Sequence, residues 1–272
     1  MPIRLRSILL SIGTGAALLA AANASATSPV ATSTPARTVT PTAAVLTSIM
    51  RVGALFSPSV LGSSLGIGLP HDCSGSVVHS PGHDLVLTAA HCIAGSGVGY
   101  DFVPGYHDGV APYGVWSTQR VYINPSWSAH QDPQHDYAFL VMAPQQWKGA
   151  RHDIEDVTGA YPLGTAPAPG SSVTVDAYVA GVNDRPITCT NVVFYTAGFP
   201  SFACAGYANG TSGGPWLSGS TLVGAIGGLH QGGCSPSTSY TSAFGADTFA
   251  DWTRAATHAP ANFVLPAGPS GC

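Results

Sequence analysis

Beyond residue 51 the chain runs in short stretches where apolar and polar positions alternate or β-branched residues gather, each closed by Gly, Pro or Asp. Alternation with a period of two sends successive side chains to opposite faces, the pattern of a half-buried strand. In the first half these stretches predict strands at Val52–Phe56, Cys73–Val78, Leu85–Thr88, Arg120–Ile123 and Tyr137–Met142. In the second half they predict strands at Ser172–Val179, Ile187–Ala197, Gly214–Leu217, Thr221–Gly228 and Ser239–Phe244. Pro144 to Gly170, rich in turn formers, separates the two sets. Only Asp247–Thr257 changes period, with Phe249, Trp252 and Ala256 on one helical face. No repeat of solenoid length is present. The pattern is that of an all-β sandwich or barrel closed by a terminal helix.

The N-terminus carries a different pattern. Arg4 and Arg6 precede an apolar stretch, Ile8 to Ala22, that is short for a membrane span, and small residues at Ala22-Asn23-Ala24 and Ala24-Ser25-Ala26 suit signal peptidase. Residues 1–26 are expected to be a signal peptide, a retained anchor being the alternative. Residues 27–51, rich in Thr, Ala, Ser and Pro, are expected to be a linker or pro-segment. The remaining part, about 220 residues, is ample for one large core or two small ones. It holds five basic and thirteen acidic side chains, which argues against nucleic acid or an anionic membrane as partner. The mature protein is expected to be secreted, soluble and monomeric. The six cysteines and ten histidines show no CxxC or HExxH spacing, so neither a metal nor any other cofactor is expected.

Three blocks carry the chemistry. Gly210-Thr211-Ser212-Gly213-Gly214-Pro215 sets a serine in a glycine-rich turn, where backbone N–H groups can converge on one point. A serine hydroxyl is a weak nucleophile and needs a base beside it and donors for the oxyanion it creates. Thr88-Ala89-Ala90-His91-Cys92 offers the base and Asp136-Tyr137-Ala138-Phe139-Leu140 the carboxylate to orient it. Asp132, four residues earlier in a polar loop, is the competing carboxylate. Asp136 is preferred because the apolar run after it places it at a strand start, at the edge of the core. His135 reads as an exposed neighbour.

With the order His91, Asp136, Ser212, residues 52 to 257 resemble the secreted bacterial serine proteases of the chymotrypsin/trypsin superfamily. They lie nearer the branch that includes the glutamyl endopeptidases than the animal digestive enzymes. The resemblance implies two antiparallel six-stranded β-barrels of chymotrypsin type with a C-terminal helix. The first, residues 52–150, would carry His91 and Asp136, and the second, residues 151–272, Ser212. It implies protein or peptide substrates cleaved through an acyl-enzyme, with an oxyanion hole from the N–H groups of Gly210 and Ser212. It also implies a Cys73–Cys92 disulfide. For the other cysteines Cys189–Cys204 with Cys234–Cys272 is the preferred pairing, and Cys204–Cys234 the alternative.

The chain departs from the family pattern in two places. Thr211 stands where many animal relatives carry an aspartate that pairs with a freshly cut N-terminus, so activation through that ion pair is not expected. Arg51-Val52 is a candidate processing site unless Val52–Phe56 is simply the first strand. Gly206 stands where trypsin-like enzymes carry an aspartate, so a pocket for Arg or Lys is unsupported. Gly227, Gly228 and Leu229 are expected to wall the primary pocket. His230 lies about four residues beyond the histidine position of glutamyl endopeptidases, and an open pocket for uncharged residues is the competing expectation. Asn209-Gly210-Thr211 is a formal glycosylation sequon, but a glycan there would block the nucleophile. Trp116, Tyr122, Trp127 and Trp147 read as core and interface packing. Two rival functions remain compatible with the sequence: a catalytically silent binding protein on the same fold, and an esterase using the same triad.

Overall fold

The computed structural model describes residues 40–58, 70–181 and 185–261. The short β1 (Ala44–Val45) precedes the six strands of the first half: β2 (Val52–Phe56), β3 (Cys73–Val78), β4 (Leu85–Thr88), β5 (Asp101–Pro104), β6 (Trp116–Ile123) and β7 (Ala138–Met142). These six close into an antiparallel barrel in the order β2-β3-β4-β7-β6-β5, with β5 returning to pair with β2. Closure removes both sheet edges, so no backbone row is left unpaired. The barrel is filled by Leu55, Val77, Val86, Phe102, Val121 and Leu140, all nearly or fully buried.

A small hairpin, β8 (Gln145–Trp147) with β9 (Ala150–His152), and a helical turn, α1 (Ile154–Thr158), lead into the second half. There β10 (Ser172–Tyr178), β11 (Pro186–Thr196), β12 (Phe199–Ala203), β13 (Pro215–Ser218), β14 (Thr221–Ala225) and β15 (Thr238–Tyr240) form a sheet ordered β14-β13-β10-β11-β12-β15. Its outer edges meet at a single bridge, Ile226 to Thr241, rather than along a ladder. The second half is therefore a half-barrel, pinned at the point where the chain leaves β14 for the glycine pair Gly227-Gly228. Its core is built on Val175, Val193, Phe202 and Trp216. A third cluster, including Val78, Phe139, Tyr178, Leu217 and Phe244, joins the halves.

The terminal helix, α2 (Ala246–Ala256), follows. Its Thr248 side chain accepts from the Gly245 N–H, satisfying one of the groups a helix start leaves open. None of the helices among the described residues is long and apolar enough to cross a membrane. Trp116, Tyr122 and Trp127 are buried, while Trp147 is half-exposed and lies under the Lys148 ammonium.

Two findings concern the expected linker. Residues 41–46 lie along the second half: Ala43 N–H donates to the Ala205 carbonyl at 2.8 Å, Ala205 N–H to the Pro41 carbonyl at 2.7 Å, and β1 adds itself to β11. A strand edge accepts such a segment whatever its side chains, because the pairing groups are backbone. Val52 is fully buried inside β2, with the Arg51 carbonyl accepting from Val77 N–H and the Val52 carbonyl from Gly105 N–H. The Arg51–Val52 bond is thus inside the barrel wall, which is the strand alternative rather than a processing loop.

Cys73 is joined to Cys92 and Cys189 to Cys204, across 19 and 15 residues. The second bond consumes Cys204 and rules out its pairing with Cys234. Cys234 is not a free thiol, but the expected pairing with Cys272 falls outside the described residues. Residues 1–26, expected to be a signal peptide, also lie outside them.

Candidate active site

His91 sits in the short turn Ala90–Cys92 that follows β4, tied down by the Cys73–Cys92 disulfide to the start of β3. Asp136 ends the turn Pro133–His135 and precedes β7, where its carboxylate is closed off from solvent. The two meet because β4 and β7 are hydrogen-bonded neighbours, Thr88 lying opposite Ala138. His91 Nδ1 is 2.8 Å from Asp136 Oδ2, and the His91 backbone N–H donates to Oδ1 at 2.9 Å. The Gly228 N–H donates to Oδ2 at 2.9 Å. A buried carboxylate is stable only when its oxygens are met by donors, and Asp136 has three. They orient the ring with Nδ1 toward Asp136, leaving Nε2 for the cleft.

Asp132 is spent elsewhere. It accepts from His135 Nδ1 at 3.0 Å and Gln134 N–H at 3.0 Å, and the other His135 nitrogen reaches Asp247. His135 therefore belongs to a separate surface network.

Ser212 lies in the turn between β12 and β13. His91 and Ser212 line one cleft of about 800 Å³, together with Asp72, Ala180, Asn209 and Gly210. The Ser212 hydroxyl makes no hydrogen bond with the His91 ring in this structure. Such contacts are commonly loose before substrate arrives and tighten in the complex.

The turn before Ser212 is tightly specified. Gly210 has φ +93°, and a Cβ there would lie 2.3 Å from the Ala180 nitrogen, so only glycine fits. Ala180 N–H donates to the Asn209 carbonyl at 2.6 Å. In a trans peptide the N–H points opposite to the C=O, so this bond turns the Gly210 N–H away from Ala180. Among the described residues neither the Gly210 nor the Ser212 N–H has a hydrogen-bond partner. Thr211 donates to the Ala208 carbonyl at 2.8 Å and closes its own turn, with no charge involved. Asn209 is in the cleft wall, so a glycan there would fill the site.

The expected pocket residues divide. His230 lines the cleft, in a left-handed pair with Gln231 (φ 52° and 51°) between Gly228 and Gly232. Gly206, Gly227, Gly228 and Leu229 are not among the cleft-lining residues. Gly206 is covered by Ala43 of the docked N-terminal segment. A Cβ on Gly227 would fall 2.7 Å from the Asp136 carbonyl, so with the Gly228 N–H this pair backs the buried carboxylate. Two contributors carry no sequence signal of their own: the Gly228 amide, and Ser242, whose Oγ accepts from the Asp136 N–H at 3.1 Å. Cys73, His91 and Cys92 cluster closely, but the disulfide removes both thiolates a metal would need.

Comparison with known proteins agrees with this geometry. The family model described as Trypsin matches residues 57–253. Among solved structures, the protease Anisep from Arthrobacter nicotinovorans is 26% identical with a TM-score of 0.63, the match covering 78% of this chain and 98% of that one. The thermostable serine protease AL20 from an extremophilic microorganism is 23% identical with a TM-score of 0.60, covering 76% and 97%. A Glu endopeptidase shares the fold at 15% identity and a TM-score of 0.59, covering 80% and 97%. No curated protein matches the sequence. With its family model spanning both halves of the site, the chain belongs to the trypsin family of serine proteases.

Proposed function

We propose that this serine endopeptidase works through a Ser212-His91-Asp136 triad and is secreted. The observation that carries the reading is the buried Asp136 carboxylate bonded to His91 Nδ1, with His91 and Ser212 on one cleft. In the first step Ser212 Oγ attacks the scissile carbonyl carbon while His91 Nε2 takes the hydroxyl proton. The imidazolium is stabilised by Asp136, whose two carboxylate oxygens are held by the His91 ring, the His91 N–H and the Gly228 N–H. Negative charge moves to the carbonyl oxygen, which the Gly210 and Ser212 N–H groups would receive. Collapse breaks the C–N bond, and His91 gives its proton to the leaving amine. Water then attacks the acyl-enzyme, with His91 again as base, releasing the acid and restoring Ser212.

The leader-like N-terminus and the disulfides support an extracellular setting, where such bonds persist. Ser212→Ala tests the reading on a diverse peptide library, with new termini identified by mass spectrometry. Turnover is expected to fall by roughly 10⁶-fold, as it does on removal of a triad nucleophile. Near-parental cleavage by the variant would exclude Ser212 as the nucleophile.

A further inference from the structure

Gly210 is held from both sides. Rotation about its φ or ψ would swing one of two carbonyls, those of Asn209 and Gly210, and each has a donor. The Asn209 carbonyl has the Ala180 N–H at 2.6 Å. The Gly210 carbonyl has the hydroxyl of Ser74, at 2.9 Å. Ser74 is fully buried in β3, on the opposite half of the molecule. Its Oγ also accepts from the Tyr178 N–H at 2.8 Å, which fixes the strand end leading to Ala180. Its backbone N–H donates to the Ser212 carbonyl at 2.7 Å, and its own carbonyl accepts from Thr88 Oγ1 at 2.8 Å. One residue thus grips the carbonyls at 210 and 212 and the segment that holds the carbonyl at 209.

The chain has no charge to do this work at Thr211, whose hydroxyl is spent on Ala208. We propose that Ser74 is the positioning residue of the oxyanion hole, its hydroxyl locking the Gly210 peptides so that the Gly210 N–H faces the developing oxyanion. The proposal rests on the catalytic reading above. It follows that Ser74 acts on the transition state and not on substrate binding: the groups it orders meet charge only after Ser212 has attacked. Replacing it with alanine removes the donor to the Gly210 carbonyl and one acceptor of the Tyr178 N–H, and frees the peptide to turn.

The test compares wild type, Ser74→Ala and Ser74→Cys, the last a shape-conserving variant with a weaker donor. Each is measured for kcat and KM on one peptide substrate, for inhibition by the matching peptide aldehyde, which forms an oxyanion on Ser212, and for inhibition by the matching peptide alcohol, which does not. Ser74→Ala is expected to lower kcat by about 10- to 100-fold, below the 10²–10³ of outright donor removal. Aldehyde affinity should weaken by a similar factor, with KM and alcohol affinity within about twofold and Ser74→Cys intermediate. Unchanged kcat, or an equal loss of aldehyde and alcohol affinity, would overturn the proposal. If Ser74→Ala does not fold, Ser74→Cys decides by the same split. Wild type that cleaves normally while the variants match it rejects the role of Ser74 alone; wild type that neither cleaves nor binds the aldehyde rejects the catalytic assignment and this one with it.

Discussion

Asp136→Asn is the most demanding test of the site's electrostatics. All three groups that meet the carboxylate are donors: the His91 N–H at Oδ1, and His91 Nδ1 and the Gly228 N–H at Oδ2. An asparagine offers one oxygen and one NH₂, so in either orientation one donor faces another. With the NH₂ at the Oδ1 position it opposes the His91 N–H, the ring keeps its tautomer, and the negative charge that stabilises the imidazolium is gone. With the NH₂ at the Oδ2 position it opposes the Gly228 N–H, and the ring answers by carrying its proton on Nε2, where it cannot accept from Ser212. Both arrangements disable the base. The expected loss is about 10⁴-fold in kcat, equivalent to roughly 5 kcal/mol of barrier. The assay is turnover of a fluorogenic peptide, with circular dichroism confirming that the variant is folded. A folded variant within tenfold of wild type would refute the argument that Asp136 orients and charges the site.

Further outcomes follow from other parts of the structure. Gly210→Ala places a Cβ 2.3 Å from the Ala180 nitrogen at φ +93°; kcat should fall by about 10²–10³ through loss of one oxyanion donor, measured against an unchanged KM. Burial holds the Asp176 carboxyl above the usual carboxylate range, opposed in part by Thr188 across the ladder. The folded chain therefore binds that proton more tightly than the unfolded one, and stability falls as pH rises from the unfolded toward the folded pKa. Asp176→Asn should raise Tm at pH 7 and lose that advantage near pH 3, a difference read by thermal melts at the two pH values. Replacing Cys73 and Cys92 together by serine opens a loop of 19 residues; denaturant melts should show a loss of about 3 kcal/mol and kcat should drop because the turn carrying His91 is released.

The barrel strands with clean alternation or β-branched runs were readable because their inward positions are apolar along their whole length. Asp101–Pro104 carries no strand pattern because both its ends are residues that strands disfavour, and Phe199–Ala203 carries none because Pro200 reads as a strand breaker. Only the later part of β6 was legible, since the register shifts between Thr118 and Arg120 and breaks the alternation. Residues 41–46 read as linker because backbone pairing with Ala205 and β11 needs no side-chain pattern. At the site, the histidine, aspartate and serine blocks declared themselves by residue type. The Gly228 amide and the Ser74 and Ser242 hydroxyls did not: their partners lie 92, 136 and 106 residues away along the chain, and nothing local marks them. The pocket role of Gly227 and Gly228 rests on resemblance alone, and no sequence pattern announces their packing on Asp136.

The central claim is that Ser212 is activated by His91. Treating the folded protein with a fluorophosphonate probe and mapping the modified peptide by mass spectrometry tests it most directly, with Ser212→Ala and His91→Ala alongside. The account predicts a single adduct on Ser212 that is absent from both variants. A folded wild-type protein that takes no label, or an adduct that persists in Ser212→Ala, would contradict it.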